Sequence, residues 1–218
     1  MEENDSFREC VIVSCGTLGP EVSHLRKEGF LDAKRVFFTT PGLHEIPSEL
    51  ETQLIDRIKK AREYSNKVIV VYGRQFCYVN PYDVYRTIDT IIKEQGDGIV
   101  RVQASHCVDM LAGKDEREEI SNGEKVWWMT PGWILYRKNV FKEWDKGLAN
   151  ENFPRHTGGA IVLDGIGFFD RYVEEHAEEL LEYSDWMSIP ITAHEITLDR
   201  FKDKLLQQLH RLQEGNPQ

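Results

Sequence analysis

The sequence predicts an α/β protein: a single doubly wound, mostly parallel sheet with helices on both faces and an aromatic insertion or cap. Three observations carry that expectation. Short β-branched runs recur along the chain, each is closed by a polar turn, and each is followed by a stretch with helical periodicity. Parallel neighbours need a crossover that returns the chain to its starting edge, so alternating strand and helix patterns point to a parallel sheet covered on both sides.

Val11-Ile12-Val13 leads into Ser14-Cys15-Gly16, and Pro20 suits the first turn of the helix that follows. Val36-Phe37-Phe38 runs into Thr39-Thr40-Pro41-Gly42-Leu43-His44, after which Leu50, Leu54, Ile55 and Ile58 mark one helical face. Val68 to Tyr72 is a third strand pattern, closed by Gly73-Arg74-Gln75-Phe76-Cys77; Val84, Ile88, Ile91 and Ile92 line the helix beyond. Ile99-Val100-Arg101-Val102 leads to Ala104-Ser105-His106-Cys107, and Ala160 to Leu163 precedes a helix over roughly residues 170–183. A weaker strand over residues 189–196 comes before a last helix carrying Phe201, Leu205, Leu206 and Leu209.

Nothing resembling a linker, repeat or low-complexity tract divides the chain, so residues 1–218 read as one domain with a sizeable core. Residues of about 113–153 are the irregular part, charged from Lys114 to Glu119 and then aromatic, and read as an insertion or cap. With 37 acidic and 27 basic side chains, the net charge of -10 disfavours a nucleic-acid partner. No apolar run reaches the roughly 20 residues that span a bilayer, and the polar start Met1-Glu2-Glu3-Asn4-Asp5 is unlike a secretory signal. A cytoplasmic protein with reduced thiols and no membrane association is expected.

Cys15, Cys77 and Cys107 each stand where a strand pattern gives way to a turn. In a parallel sheet those turns open on one edge, so thiols distant in sequence can converge there. The fourth cysteine, Cys10, starts the strand that Cys15 ends, about 16 Å away in extended chain, and reads as a small buried hydrophobe. There is no CxxC pair, so a metal site has to be assembled by the fold. His44 lies on the same predicted edge and is a better fourth ligand than His106, which directly precedes Cys107. Three thiolates with or without one imidazole suit zinc, and three thiolates also suit an iron-sulfur cluster with one open iron.

Cys15-Gly16 with Leu18-Gly19-Pro20-Glu21, Leu43-His44-Glu45, Tyr72-Gly73 followed by Cys77, Cys107 with Gly113, and Thr130-Pro131-Gly132-Trp133 occur in that order. Together, over about residues 9–210, they resemble an uncharacterised bacterial and archaeal family that is catalogued as a domain of unknown function and has members in methanogens and other anaerobes. The loop ending at Cys77 is two residues longer than the Tyr-Gly-x-Cys of that pattern, and Ser105-His106-Cys107 replaces His-Asp-Cys. The resemblance implies a setting near corrinoid-dependent methyltransferase systems, with a corrinoid protein or methyltransferase as partner. In that setting a zinc centre suits methyl transfer to a thiol, and an iron-sulfur centre suits electron delivery to a corrinoid.

Trp127, Trp128 and Trp133 fall within seven residues and offer flat apolar surface, either for core packing or for a planar ligand or partner. Thr130 and Trp133 are expected at a pocket, as is Gly16, whose loop Gly16-Thr17-Leu18-Gly19-Pro20 places backbone donors ahead of a helix without the spacing of a dinucleotide or P-loop motif. Two further functions compete with a metal centre. One is a non-catalytic accessory protein that binds a cofactor or partner through the aromatic cap. The other is metal-free thiol chemistry at Cys15, which requires a lowered thiol pKa. Glu45 and Asp109 are possible bases near the edge, and the run Glu174-Glu175 with Glu178-Glu179 reads as a solvated helical face.

Overall fold

β1 (Cys10–Ser14) lies between β2 (Arg35–Phe38) and β3 (Lys67–Val71), and β4 (Ile99–Arg101) pairs with the far side of β3. The architecture is that of a computed structural model, which describes residues 5–43, 46–74, 77, 79–80, 82–83 and 85–215. All three pairings are parallel, with Val13 level with Phe37 on one side and Val70 on the other. The chain leaves β1 toward β2, then crosses back to place β3 on β1's other flank. The strand order therefore reverses between β1 and β3, and a crevice opens beyond their carboxyl ends.

The apolar run Val68 to Val71 is buried throughout, as a central parallel strand covered on both faces must be. Alternation along β1 decides what each side chain meets. Cys10 and Ile12 join α1 (Gly19–Lys27) and α10 (Asp199–Gln213) through Val22, Leu25, Phe201 and Leu205. Val11 and Val13 face α2 (Pro47–Arg62) and α3 (Ile88–Glu94) through Leu50, Leu54, Ile58 and Ile91. Proline in the first turn starts α1 and α2, where a missing amide hydrogen removes no bond. The Thr87 hydroxyl caps α3 by accepting from the Thr90 amide.

β5 (Trp127–Met129), β6 (Ala160–Asp164) and β7 (Ile191–Glu195) form a second parallel sheet in sequence order. The strands thus divide into a four-stranded and a three-stranded sheet, where the sequence pattern predicts one. Periodicity marks a strand but does not say which neighbour it pairs with. The segment expected as a cap also differs: residues 113–153 supply β5 together with α5 (Lys114–Ser121), α6 (Pro131–Leu135), α7 (Arg137–Val140) and α8 (Lys146–Asn152). One face of the second sheet packs Met129, Ala160 and Val162 against Phe141, Phe153 and the Tyr183 and Met187 of α9 (Phe168–Met187). On the other face Leu163 and Trp128 join the core shared with α1 and α10. Beyond β5, α6 packs against α1 and against the turn that follows β1.

Candidate functional site

Cys15 is held at the switch point by its own amide, which donates to the Val71 carbonyl at 3.1 Å and extends the β1 pairing by one residue. The chain then tightens into a 3-10 turn over Gly16–Leu18, which keeps the Cys15 thiol 2.9 Å from the Thr17 hydroxyl. Cys107 opens the short helix α4 (Cys107–Leu111) beyond β4. That helix start is fixed by His106, whose Nδ1 accepts from the Asp109 amide at 3.1 Å, and by Asp109, whose carboxylate accepts from the Ser105 amide at 3.0 Å. Asp109 also faces Arg200 at 3.3 Å and Arg117 at 3.7 Å. Cys77 lies beyond β3 and is 7 % exposed, against 6 % for Cys15.

The three thiols come together. Cys15 and Cys77 lie in one buried cluster with Cys107 packed against it, and Cys107 is near enough to influence the ionisation of Cys15 and to be influenced by Cys15 and Cys77. Cys15 is held well above the usual thiol range, first by its interaction with Cys107 and then by burial. For Cys107 the Cys15 interaction works downward, but the interaction with Cys77, burial and the Cys77 charge outweigh it and push the thiol up. No Lys or Arg among the described residues is one of the groups setting either value. Tyr72 closes the apolar wall beside them; its phenol bonds to the Thr39 hydroxyl and is pushed up by burial and by the nearby Cys15.

The second sheet presses on the same turn. The buried Thr130 hydroxyl donates to the Thr17 carbonyl at 3.0 Å. A Cβ on Gly132 would stand 2.0 Å from that carbonyl oxygen, so only glycine lets α6 seat there. Asp164, at the end of β6, accepts from the Ile166 and Phe169 amides at 3.0 and 2.7 Å, at the start of α9. Glu21, in the first turn of α1, is 0 % exposed, and neither of its carboxylate oxygens has a hydrogen-bond partner among the described residues. Burial foremost, opposed by Glu21's own backbone amide and aided by Asp164 and Cys15, raises the Glu21 carboxyl to about 8.

Cys15 and Cys77 belong to one core cluster with Cys107 packed against it, and Cys10 belongs to the core on the other face of the sheet. His44 and Glu45 lie outside the described residues. His106 is a helix cap. Burial, then the nearby Arg117, lowers its pKa. Asp109 is an anchor: burial opposes its ionisation, but the Ser105 amide and Arg200 hold it below the usual carboxylate range. Gly16 lines a cavity of about 310 Å³ with Gly19, Pro20, Phe38, Thr39 and Tyr136. Thr130 acts as a brace, and Trp133 packs edge-on against Trp127 at 5.9 Å. Trp127 in turn meets Phe153 at 5.0 Å, with its indole N–H buried and unbonded among the described residues. The aromatic segment is thus largely core, although Phe141, Trp144, Tyr183 and Trp186 border an open cavity of about 240 Å³.

Glu21, Thr17, Thr39, Tyr72 and Asp164 are site residues that strand and turn patterns do not single out. For Glu21 a signal exists: it stands three residues after Leu18 and four before Leu25, on the apolar stripe of its helix.

Two sulfurs bound tetrahedrally to one zinc ion at about 2.3 Å stand roughly 3.8 Å apart, within hydrogen-bonding reach for sulfur. Cys15, Cys77 and Cys107 are of the donor type such an ion takes and share one region of the core. Among the described residues no three His, Cys, Asp or Glu side chains already enclose one ion position. A bound ion therefore requires the three thiols to turn toward a common point. No helix among the described residues is long and apolar enough to cross a membrane.

A family model described as a protein of unknown function, DUF1638, matches residues 38–205. The matched stretch includes Cys77, Cys107 and the segment from Thr130 to Trp133, and begins beyond Cys15. No curated protein and no solved structure matches the chain.

Proposed function

We infer, for a chain that belongs to the DUF1638 family of proteins of unknown function, that Cys15, Cys107 and Cys77 hold a metal centre, zinc or an iron-sulfur cluster. The observation that carries this reading is that Cys107 packs against the buried cluster that holds Cys15 and Cys77, beyond the carboxyl ends of β1, β3 and β4. Thiols raised above the usual range, with no Lys or Arg among the leading causes of either value, are poor nucleophiles, which counts against metal-free thiol chemistry. The same thiols gain their missing counter-charge when a cation displaces their protons. All four cysteines are free, in keeping with a reducing, cytoplasmic setting. The one-carbon setting implied by the sequence resemblance makes methyl transfer, or electron delivery to a corrinoid partner, the chemistry to test at such a centre.

The test is purification without oxygen, followed by zinc, iron and sulfide determination per chain and an optical spectrum, for the wild type, Cys15→Ala and Cys107→Ala. Circular dichroism verifies that each variant is folded. Stoichiometric zinc, or an iron-sulfur chromophore, that disappears in both folded variants supports the reading. A metal-free wild type overturns it.

A further inference from the structure

We propose that the aromatic cup between α7 and α9 binds a small zwitterion that carries a methylated ammonium group and a carboxylate. The cup belongs to the second sheet's core and uses none of the thiols, so the proposal goes beyond the metal reading and does not depend on it.

Phe141, Trp144, Tyr183 and Trp186 border an open cavity of about 240 Å³, a size that suits a small molecule. Phe141 is the hub of the cluster: its ring centre lies 5.2 Å from those of both Trp144 and Trp186, and 6.2 Å from that of Tyr183. The fully buried Phe153 meets the same two tryptophans at 5.4 Å each. Packing therefore fixes both indoles, yet each stays half-buried at the cavity rather than sealed in the core.

Three charged side chains border the same cavity, and they are not equivalent. Arg137 is engaged: it donates to the Glu179 carboxylate at 2.6 Å and to the Tyr172 hydroxyl at 3.1 Å, and its guanidinium lies 5.9 Å from the Tyr183 ring centre. Lys138 and Glu182 are exposed, and neither forms an ion pair with a described residue, the other included. Glu182 stands one helical turn before Trp186 on α9, and Lys138 stands three residues before Phe141. A carboxylate and an ammonium thus flank an aromatic surface without pairing, which complements a ligand bearing both charges. The rings select the kind of cation. A bare ammonium is strongly hydrated, whereas methyl groups on nitrogen present a weakly hydrated positive surface that ring faces attract. The Arg137 guanidinium over Tyr183 is a cation of that weakly hydrated type already accepted by the cluster. In the bound arrangement the ammonium end meets the rings beside Glu182, and the carboxylate end meets Lys138.

The probe is trimethylglycine, titrated calorimetrically into the full chain at concentrations up to about 20 mM. Two analogues accompany it: tert-butylacetate, which has the same shape with carbon in place of the charged nitrogen, and tetramethylammonium, which lacks the carboxylate. Trimethylglycine is expected to bind, with each analogue at least about fivefold weaker. Glu182→Gln is expected to weaken both trimethylglycine and tetramethylammonium, and Lys138→Met to weaken trimethylglycine alone. Both positions are exposed, so these variants keep the test open if a core variant fails to fold. Trp186→Leu, verified as folded by circular dichroism, is expected to abolish binding. No binding of trimethylglycine, equal affinity for it and either analogue, an affinity unchanged in either surface variant, or binding retained by folded Trp186→Leu would each overturn the proposal. A metal-free chain would overturn the metal reading and leave these titrations intact.

Discussion

Gly73 lies directly against His106: a Cβ built on Gly73 would stand 2.4 Å from the His106 Cα. The loops beyond β3 and β4 are pressed together at this point, and the Arg74 amide donates to the Ser105 carbonyl at 2.9 Å beside it. These are the loops that carry Cys77 and Cys107. Gly73→Ala must push them apart, because the obstacle is backbone that cannot swing away. We expect a loss of about 1–3 kcal/mol, read as a lower urea midpoint. Slower formation of a Cys77–Cys107 disulfide under mild oxidation should accompany it. A midpoint and an oxidation rate equal to wild type would remove this contact from the account of how the thiols are gathered.

The Cys15 thiol is raised above the ordinary range, first by its interaction with Cys107 and then by burial. Cys107→Ala is therefore expected to shift the pH midpoint of Cys15 labelling downward. An unchanged Cys15 midpoint in the folded variant would contradict the closeness of the two thiols.

Much of the first sheet is legible in the sequence because its strands are buried on both faces and read as unbroken apolar runs, as at Val68 to Val71. The gathering of Cys15, Cys77 and Cys107 follows from the same reading, since parallel strands place their carboxyl turns on one edge. The separation into two sheets is not legible: β5 is three residues long, and two of those are tryptophans that serve opposite faces. Nor do motif glycines reveal themselves as steric requirements. Gly73 and Gly132 look like loop residues until the backbone each one meets is known. Glu21 escapes notice because α1 is short and its apolar stripe holds only a few residues from which a buried carboxylate would stand out.

Thr130 ties the two sheets together through its hydroxyl bond to the Thr17 carbonyl. Thr130→Val keeps the shape but leaves that buried carbonyl without this donor, at an expected cost of about 1–2 kcal/mol. The urea midpoint should fall with an unchanged slope, and the turn that positions Cys15 should loosen, seen as faster amide hydrogen exchange across residues 16–19. Unchanged stability and unchanged exchange would show that the sheets are held by apolar packing alone.

Glu21 makes stability depend on pH in an unusual direction for an acid. Its carboxyl rises from 4.5 to about 8 on folding, chiefly through burial. Between those values the folded chain holds a proton that the unfolded chain has released, so the unfolded state binds fewer protons and stability falls as pH rises. The contribution is complete below about 4.5 and exhausted above about 8, with a total swing of up to about 5 kcal/mol at 1.4 kcal/mol for each unit. Glu21→Met fills a similar volume without a charge and removes that slope. Urea midpoints of wild type and Glu21→Met should therefore be closest near pH 5 and diverge toward pH 8, where the variant is the more stable protein. Parallel midpoints across this range would place the Glu21 carboxyl in contact with water or a cation, and would remove the desolvation that makes it basic.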